Sequence, residues 1–191
     1  MKFNILNKFN ILLNILLIVV IVVGCNNIND ETGIEYGENQ AYIELVIYSS
    51  FQCKSCYKMH KELGGIIQKY IDSGDIKYIE KQIDIKRFEY DDLIYKHMNE
   101  NQISDFEKLS EIYETQNEWI TLESPKDVIE FLNLEQEENQ KHIKDIEKIN
   151  KEKIELELKE VPTIFINGEK IEGNISKEEF ENKIKSLLNK K

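Results

Sequence analysis

The chain reads as an α/β protein with the element order β-α-β, a helical block, then β-β-α. Three observations predict this. The run Ala41 to Tyr48 is rich in β-branched and aromatic residues, a helical pattern follows to about Asp72, and strand-like residues return from Ile76 to Ile85. Between Phe88 and Glu160 no good strand pattern occurs. At Val161 to Phe165 strand residues reappear, and Asn167-Gly168 is a strong two-residue hairpin signal that turns them back.

The first 25 residues read as a targeting segment. Lys2 and Lys8 give a positive start, and Phe9 to Val23 is apolar except for Asn10 and Asn14. That core suits a signal peptide and is short for a full membrane span. It ends at Val22-Val23-Gly24-Cys25. A small residue followed by Cys at this point is similar to a bacterial lipoprotein signal, in which the Cys becomes the acylated first residue. The competing reading is a plain membrane anchor with an incidental Cys25. Both place the domain outside the cytoplasm, and the first makes residues 1–24 a signal peptide. Asn26 to Gln40 is polar and acidic and holds Gly33 and Gly37. Residues 25–40 are therefore expected to form a flexible, lipid-anchored tether.

The 191 residues are 41% hydrophobic and 32% charged, enough for one domain with a real core. A net charge of −11, with Arg87 as the sole arginine, argues against nucleic-acid binding, which needs clustered cations.

Within the domain, Ala41 to Tyr48 is the first buried strand and Ser49 to Gln52 a loop. A helix is expected from about Cys53 to Asp72, with Cys56, Met59, Leu63, Ile66, Ile67 and Tyr70 on its buried stripe. Cys53 falls at the helix start, off that stripe. Gly64-Gly65 should cost this helix roughly 2 kcal/mol against two alanines, so a bend or a close packing contact is expected there. Ser73-Gly74-Asp75 is a turn, and strand, helix and strand in this order suggest a parallel pair with a crossover helix.

The helical block is expected to hold helices at about 88–99, 104–117, 125–133 and 135–157. Ser104 with Glu107 reads as a capping box, and Ser124 with Pro125 as an N-cap followed by Pro at the first helical position. The charge run from Glu135 to Glu157 reads as a solvated face. Glu169 to Glu172 is the returning strand, ended by Gly173. Ser176 and Glu179 form a capping box on a last helix to about Asn189.

Three cysteines is an odd count. If Cys25 carries lipid, Cys53 and Cys56 remain as one adjacent pair. A disulfide between them would close almost no loop and constrain the unfolded chain little, so a structural purpose is weak. Two chemistries stay open for the pair: disulfide exchange, or metal ligation with His60 as a third ligand. The metal reading lacks a fourth ligand, which a structural zinc needs. For exchange, the thiolate is the nucleophile. A helix N-terminus beside Cys53 favours its charged form, and Lys54 is expected to add to that effect. Cys56, one turn in and buried, suits attack on a mixed disulfide. Pro162 is unusual inside a sheet, since it cannot donate to the ladder. A cis Val161-Pro162 bond would leave backbone groups free for a substrate peptide beside Cys53; a trans Pro at an edge-strand start would have no role.

Phe51-Gln52-Cys53-Lys54-Ser55-Cys56 ahead of a helix, with Val161-Pro162-Thr163-Ile164-Phe165-Ile166-Asn167-Gly168 a hundred residues on, resembles the DsbA-like thiol–disulfide oxidoreductases. The stretch Asp105-Phe106-Glu107-Lys108-Leu109 through Ile112-Tyr113 to Gln116-Asn117-Glu118-Trp119 is similar to a helix of their inserted domain. The resemblance implies a thioredoxin-like core at 41–87 and 161–189, with an all-helical insertion at 88–160. It implies Cys53 as the attacking and Cys56 as the resolving cysteine. Val161 and Pro162 would flank the substrate, and Lys54 and Ser55 would form the dipeptide that tunes redox potential. No cofactor beyond the Cys53–Cys56 disulfide is implied. Partners would be exported proteins with cysteines, a membrane redox partner, and the membrane itself through lipid on Cys25. Two positions depart from the family: Lys54 stands where many oxidising members have Pro, and Ile47 where some carry a buried acid. Glu44 lies on the other strand face. The expected function is oxidation of exported proteins; a reductase, for example one serving cytochrome assembly, and a non-catalytic thioredoxin-like binding lipoprotein are the alternatives.

Overall fold

The computed structural model describes Ile28, residues 32–171 and residues 175–190. The segment 1–24, Cys25, Glu172 and Gly173 lie outside the described residues.

Five strands form one sheet: β1 (Ile34–Tyr36), β2 (Ile43–Ser49), β3 (Ile76–Gln82), β4 (Thr163–Ile166) and β5 (Glu169–Ile171), in the order β1-β3-β2-β4-β5. β2 and β3 run parallel, joined by the crossover helix α1 (Lys54–Asp72). The pairs β1–β3, β2–β4 and β4–β5 are antiparallel. The Asn167-Gly168 turn has φ of 49° and 76°, the double left-handed geometry that Asn-Gly supplies to a tight hairpin. The helical block contains α2 (Asp91–His97), α3 (Glu100–Ser104), α4 (Phe106–Glu114), α5 (Gln116–Trp119), α6 (Pro125–Phe131) and α7 (Gln140–Glu155), and α8 (Lys177–Leu188) closes the chain.

Successive residues of the central strands face opposite layers. Leu45 and Ile47 join Cys56, Leu63, Ile67, Phe180 and Ile184 in the larger core, under α1, α4 and α8. Val46 and Tyr48 join Ile79, Ile149 and Phe165 in a smaller core under α7.

Several sequence expectations need correction. The stretch to Gln40 is not all tether: β1 is a buried edge strand, and Tyr36 Oη donates to Gln102 O at 2.6 Å in the helical block. Gly33 and Gly37, read as signs of flexibility, are steric requirements. They have φ of 107° and 91°, and a Cβ on them would meet Glu80 O at 2.6 Å and Ile76 O at 2.5 Å. α1 runs through Gly64-Gly65, where an added Cβ meets only Ser110 Oγ at 3.8 Å or nothing. β3 ends at Gln82, three residues before Ile85. The expected 88–99 helix is confined to α2, which ends at His97; Asn99 and Asp105 then cap the separate starts of α3 and α4 with their side-chain oxygens, and the expected 104–117 helix breaks at Thr115 into α4 and α5. Ser104 is thus the last residue of α3, and its hydroxyl donates to Glu100 O at 2.6 Å. α7 starts from an Asn139 cap, not at Glu135. Its charge run is not wholly solvated, since His142, Asp145 and Glu152 are buried. Glu152 meets buried Lys81 at 2.7 Å and accepts from Tyr48 Oη at 2.7 Å and Thr32 Oγ1 at 2.9 Å, which pins α7 to the sheet. The caps at Ser124 and Ser176 are as the sequence indicates.

Candidate active site

Cys53 is the N-cap residue of α1, in extended backbone conformation, and its own side chain forms no cap hydrogen bond. The sulfur therefore sits at the positive, N-terminal end of the helix. Both thiols are free; Cys53 is half-buried and Cys56 is fully buried. Their acidities are pushed in opposite directions. The Cys53 thiol is lowered to about 6, first by a hydrogen bond from the Cys56 thiol, with further help from the Cys56 and Ser55 N–H groups and the Arg87 guanidinium, against some desolvation. Burial and the adjacent Cys53 push the Cys56 thiol well up, while a hydrogen bond from Ser49 works the other way. The leading cation acting on Cys53 is thus Arg87, in the loop after β3, a role the sequence reading gave to Lys54. Lys54 and Ser55 lie exposed on the first turn of α1.

The Val161-Pro162 bond is cis and lies directly before β4. Cys53 Sγ lies 3.6 Å from Val161 O and donates to it when protonated, so the Val161 backbone and the sulfur share one surface. Two grooves flank this point. One is lined by Ser55, Lys58, Met59, Pro162, Ile164 and Ile175. The other has an apolar floor of Ile83, Ile85 and Leu158 with Arg87, Lys153 and Lys159 on its rim.

The loop that presents Cys53 is held from the helical insertion. Asp91, the first residue of α2, accepts from Ser50 Oγ at 2.5 Å and from Gln52 N at 2.8 Å. Burial raises its carboxyl to about 7, against those two hydrogen bonds. Gln52 Oε1 accepts from Tyr90 N at 2.6 Å, and Gln116 Nε2 donates to Phe51 O at 2.5 Å and Cys53 O at 3.2 Å. Neither Asp91 nor Tyr90 was singled out from sequence, and Gln116 only as part of the stretch similar to a helix of the insertion. They lie 38 to 65 residues from their partners, and no spacing rule links them.

A buried acid is present after all, from an unexpected strand. Ile47 on β2 is paired in register with Glu80 on β3, and Glu80 is fully buried on the α1 side of the sheet. Its carboxylate accepts from Tyr78 Oη, from Tyr113 Oη at 2.5 Å and from Gln82 Nε2 at 2.7 Å. His60 lies over the same carboxylate, Nε2 to Oε2 at 3.6 Å, and stacks on the Tyr113 ring at 3.8 Å. His60 therefore points into this cluster, and among the described residues no group of three or more His, Cys, Asp or Glu side chains is arranged to hold a metal.

Among curated proteins no sequence matches this chain. The family model described as thioredoxin matches residues 29–186. Solved structures match the fold at low identity. A conserved protein of unknown function from Enterococcus faecalis V583 superposes with a TM-score of 0.71 at 20% identity, over 83% of this chain and 92% of that one. Oxidised BdbD from Bacillus subtilis gives 0.60 at 19% identity, over 82% and 93%. The alpha-DsbA1 of Wolbachia pipientis gives 0.67 at 22% identity, over 82% and 91%. The family match spans both the sheet and the helical block that interrupts it, and the chain belongs to the thioredoxin family, with the fold of its DsbA-like thiol–disulfide oxidoreductases.

Proposed function

We propose that this chain oxidises thiols in exported proteins, tethered outside the cytoplasm by lipid on Cys25, with Cys53 as the attacking and Cys56 as the resolving cysteine. The observation that carries the reading is the opposed acidity of the two thiols. Cys53, half-buried at a helix N-terminus, is held as a thiolate near neutral pH, and Cys56 beneath it is held as a thiol. A thiolate stabilised by the fold favours the reduced state of the pair, and a stabilised reduced state makes the disulfide oxidising.

In the oxidised protein, a substrate thiolate attacks Cys53 Sγ. The Cys53–Cys56 bond breaks, Cys56 leaves and takes a proton, and a substrate–Cys53 mixed disulfide forms. A second substrate thiolate then attacks the substrate sulfur, a substrate disulfide forms, and Cys53 leaves as a stabilised thiolate. Substrate is oxidised by two electrons and the Cys53–Cys56 pair is reduced by two. The protein must then be reoxidised by a redox partner in the membrane. The Val161 backbone, beside Cys53 on the cis-proline side, offers an edge to an extended substrate segment. In this reading Lys54 and Ser55, exposed between the two thiols, tune the potential.

Cys56→Ala tests the assignment. The variant should accumulate mixed disulfides through Cys53 when mixed with a reduced, unfolded cysteine protein and an oxidant. A Cys53→Ser protein that still exchanges disulfides at the full rate would sink the mechanism.

A further inference from the structure

Two grooves of different charge meet beside Cys53. The groove toward the cis-proline holds one cation and one acid, Lys58 and Glu62, and is balanced. The other is rimmed by Arg87, Lys153 and Lys159, with Glu160 as the one carboxylate lining it among the described residues. That excess runs against the rest of the chain, which has 36 acidic and 25 basic residues, and it includes the sole arginine. None of the three cations forms an ion pair with a carboxylate among the described residues.

The floor of this groove is apolar. β3 ends at Gln82, and the chain continues through Ile83 and Ile85 along the margin of the smaller core, where Leu158 and Val161 also pack. Ile85 and Val161 are only partly buried, so an apolar edge of that core reaches the surface next to Cys53. The walls are held in place. Ile83 N donates to Ser49 O at 2.8 Å, and Lys153 Nζ donates to Asp84 O at 3.1 Å, which ties the loop after β3 to both β2 and α7. Arg87 Cζ lies 4.8 Å from the centre of the Phe88 ring, a cation–π contact that stations the side chain while its N–H groups stay available to a ligand.

These features choose among possible occupants. A basic segment would meet three like charges. A small anionic thiol would satisfy the rim and leave Ile83, Ile85 and Leu158 wet. A protein segment with an apolar residue beside a carboxylate satisfies both. We infer that the groove rimmed by Arg87, Lys153 and Lys159 selects substrate segments in which an apolar residue and an acidic residue lie next to the reacting cysteine. This inference rests on the disulfide-exchange role proposed for Cys53. The apolar side chain covers the floor, the carboxylate faces the rim, and the cysteine reaches Cys53 Sγ. Arg87 offers the carboxylate a two-pronged donor, which the lysines cannot. The attraction acts before contact, so it raises the encounter rate and fades with added salt.

The test mixes oxidised protein with reduced two-cysteine peptides that differ only in the residue beside each cysteine, Glu, Gln or Lys, next to a fixed Leu. The peptide dithiol becomes a disulfide as the Cys53–Cys56 bond is reduced, and quenched samples are read by mass. Each rate is divided by that of the same peptide with hydroxyethyl disulfide, which removes the effect of the added charge on the peptide's own thiols. At low salt the Glu peptide should react about 10-fold faster than the Lys peptide, and in 1 M salt only about 2-fold faster, because screening is then nearly complete. Lys159→Glu should cut the Glu-over-Lys ratio by at least about 3-fold, within the usual range of steering effects. Arg87→Gln should lower the ratio too, and a ratio within one protein cancels any change in Cys53 itself. Lys185→Glu, the same charge change on α8 outside the groove, should leave the ratio at the wild-type value. Equal rates for the Glu and Lys peptides, or equal losses in Lys159→Glu and Lys185→Glu, overturn selection by this groove. Replacing the peptide Leu by Ser should slow the Glu peptide; an unchanged rate, or glutathione reacting as fast as the Glu peptide, overturns the role of the apolar floor. A wild-type protein that oxidises none of the peptides refutes the proposed function, and this inference with it.

Discussion

Replacing Cys56 by Ala should raise the Cys53 pKa, because the hydrogen bond from the Cys56 thiol is the largest influence holding it down. With a pKa of about 6, Cys53 is about 90% thiolate at pH 7, where an ordinary thiol is only a few per cent ionised. The depressed value stabilises the reduced protein fully above the ordinary thiol pKa, and the gain fades as pH falls through about 6. At pH 7 the unscreened gain is about 1.4 kcal/mol. Cys53 is only half-buried, so solvent screening cuts this to roughly 0.7 kcal/mol, or about 15 mV toward the oxidising side. The assay is the pH dependence of iodoacetamide alkylation, followed by ultraviolet thiolate absorbance. Wild-type Cys53 should show an inflection near 6. In Cys56→Ala it should move up by at least about one unit, as loss of a charge-assisted hydrogen bond demands. A wild-type inflection at the ordinary thiol value, or an unmoved one in Cys56→Ala, would refute the reasoning.

Other consequences can be checked on stability. Burial raises the Asp91 carboxyl to about 7, so its contribution is complete below about pH 4 and is lost as pH rises through 7. Asp91→Asn should flatten that decline, by up to about 4 kcal/mol between pH 4 and 8, in urea melts; an unchanged pH profile would contradict the burial argument. Glu152→Ala leaves the Lys81 ammonium buried without its acid and should cost about 3–5 kcal/mol in urea unfolding, whereas loss of under about 1 kcal/mol would mean the pair is solvated. Gly65→Ala meets open space in a regular helix and should raise the unfolding free energy by about 1 kcal/mol; a loss of stability would mean the backbone there needs glycine.

The parts of the fold legible in the sequence are those with local signals. Residues 43–49 are mostly apolar or aromatic, residues 76–82 carry Ile76, Tyr78 and Ile79, α1 has a clean buried stripe, and Asn167-Gly168 can do little but turn. β1 was hidden because three residues between glycines show no periodicity, and only contact with β3 gives Gly33 and Gly37 their purpose. Helix ends in the insertion were misplaced where an Asn or Asp could cap either of two nearby starts. The two cysteines and Pro162 stood out by residue type. Glu80 and Lys81 did not, because adjacent charged residues in a strand read as partly solvated. Here each is buried on an opposite face and matched by groups from distant helices, Tyr113 on α4 and Glu152 on α7. Ile47 suggested that the buried acid was missing; parallel register shows that β3 supplies one at the same level.

The reduction potential of the Cys53–Cys56 pair, measured against a glutathione buffer at pH 7, tests the central claim most directly. An oxidising role predicts a value well above that of a reductant, toward about −120 mV, the range of a strong thiol oxidant, of which the Cys53 thiolate supplies about 15 mV. A value near −270 mV or below would mark a reductant and contradict the account.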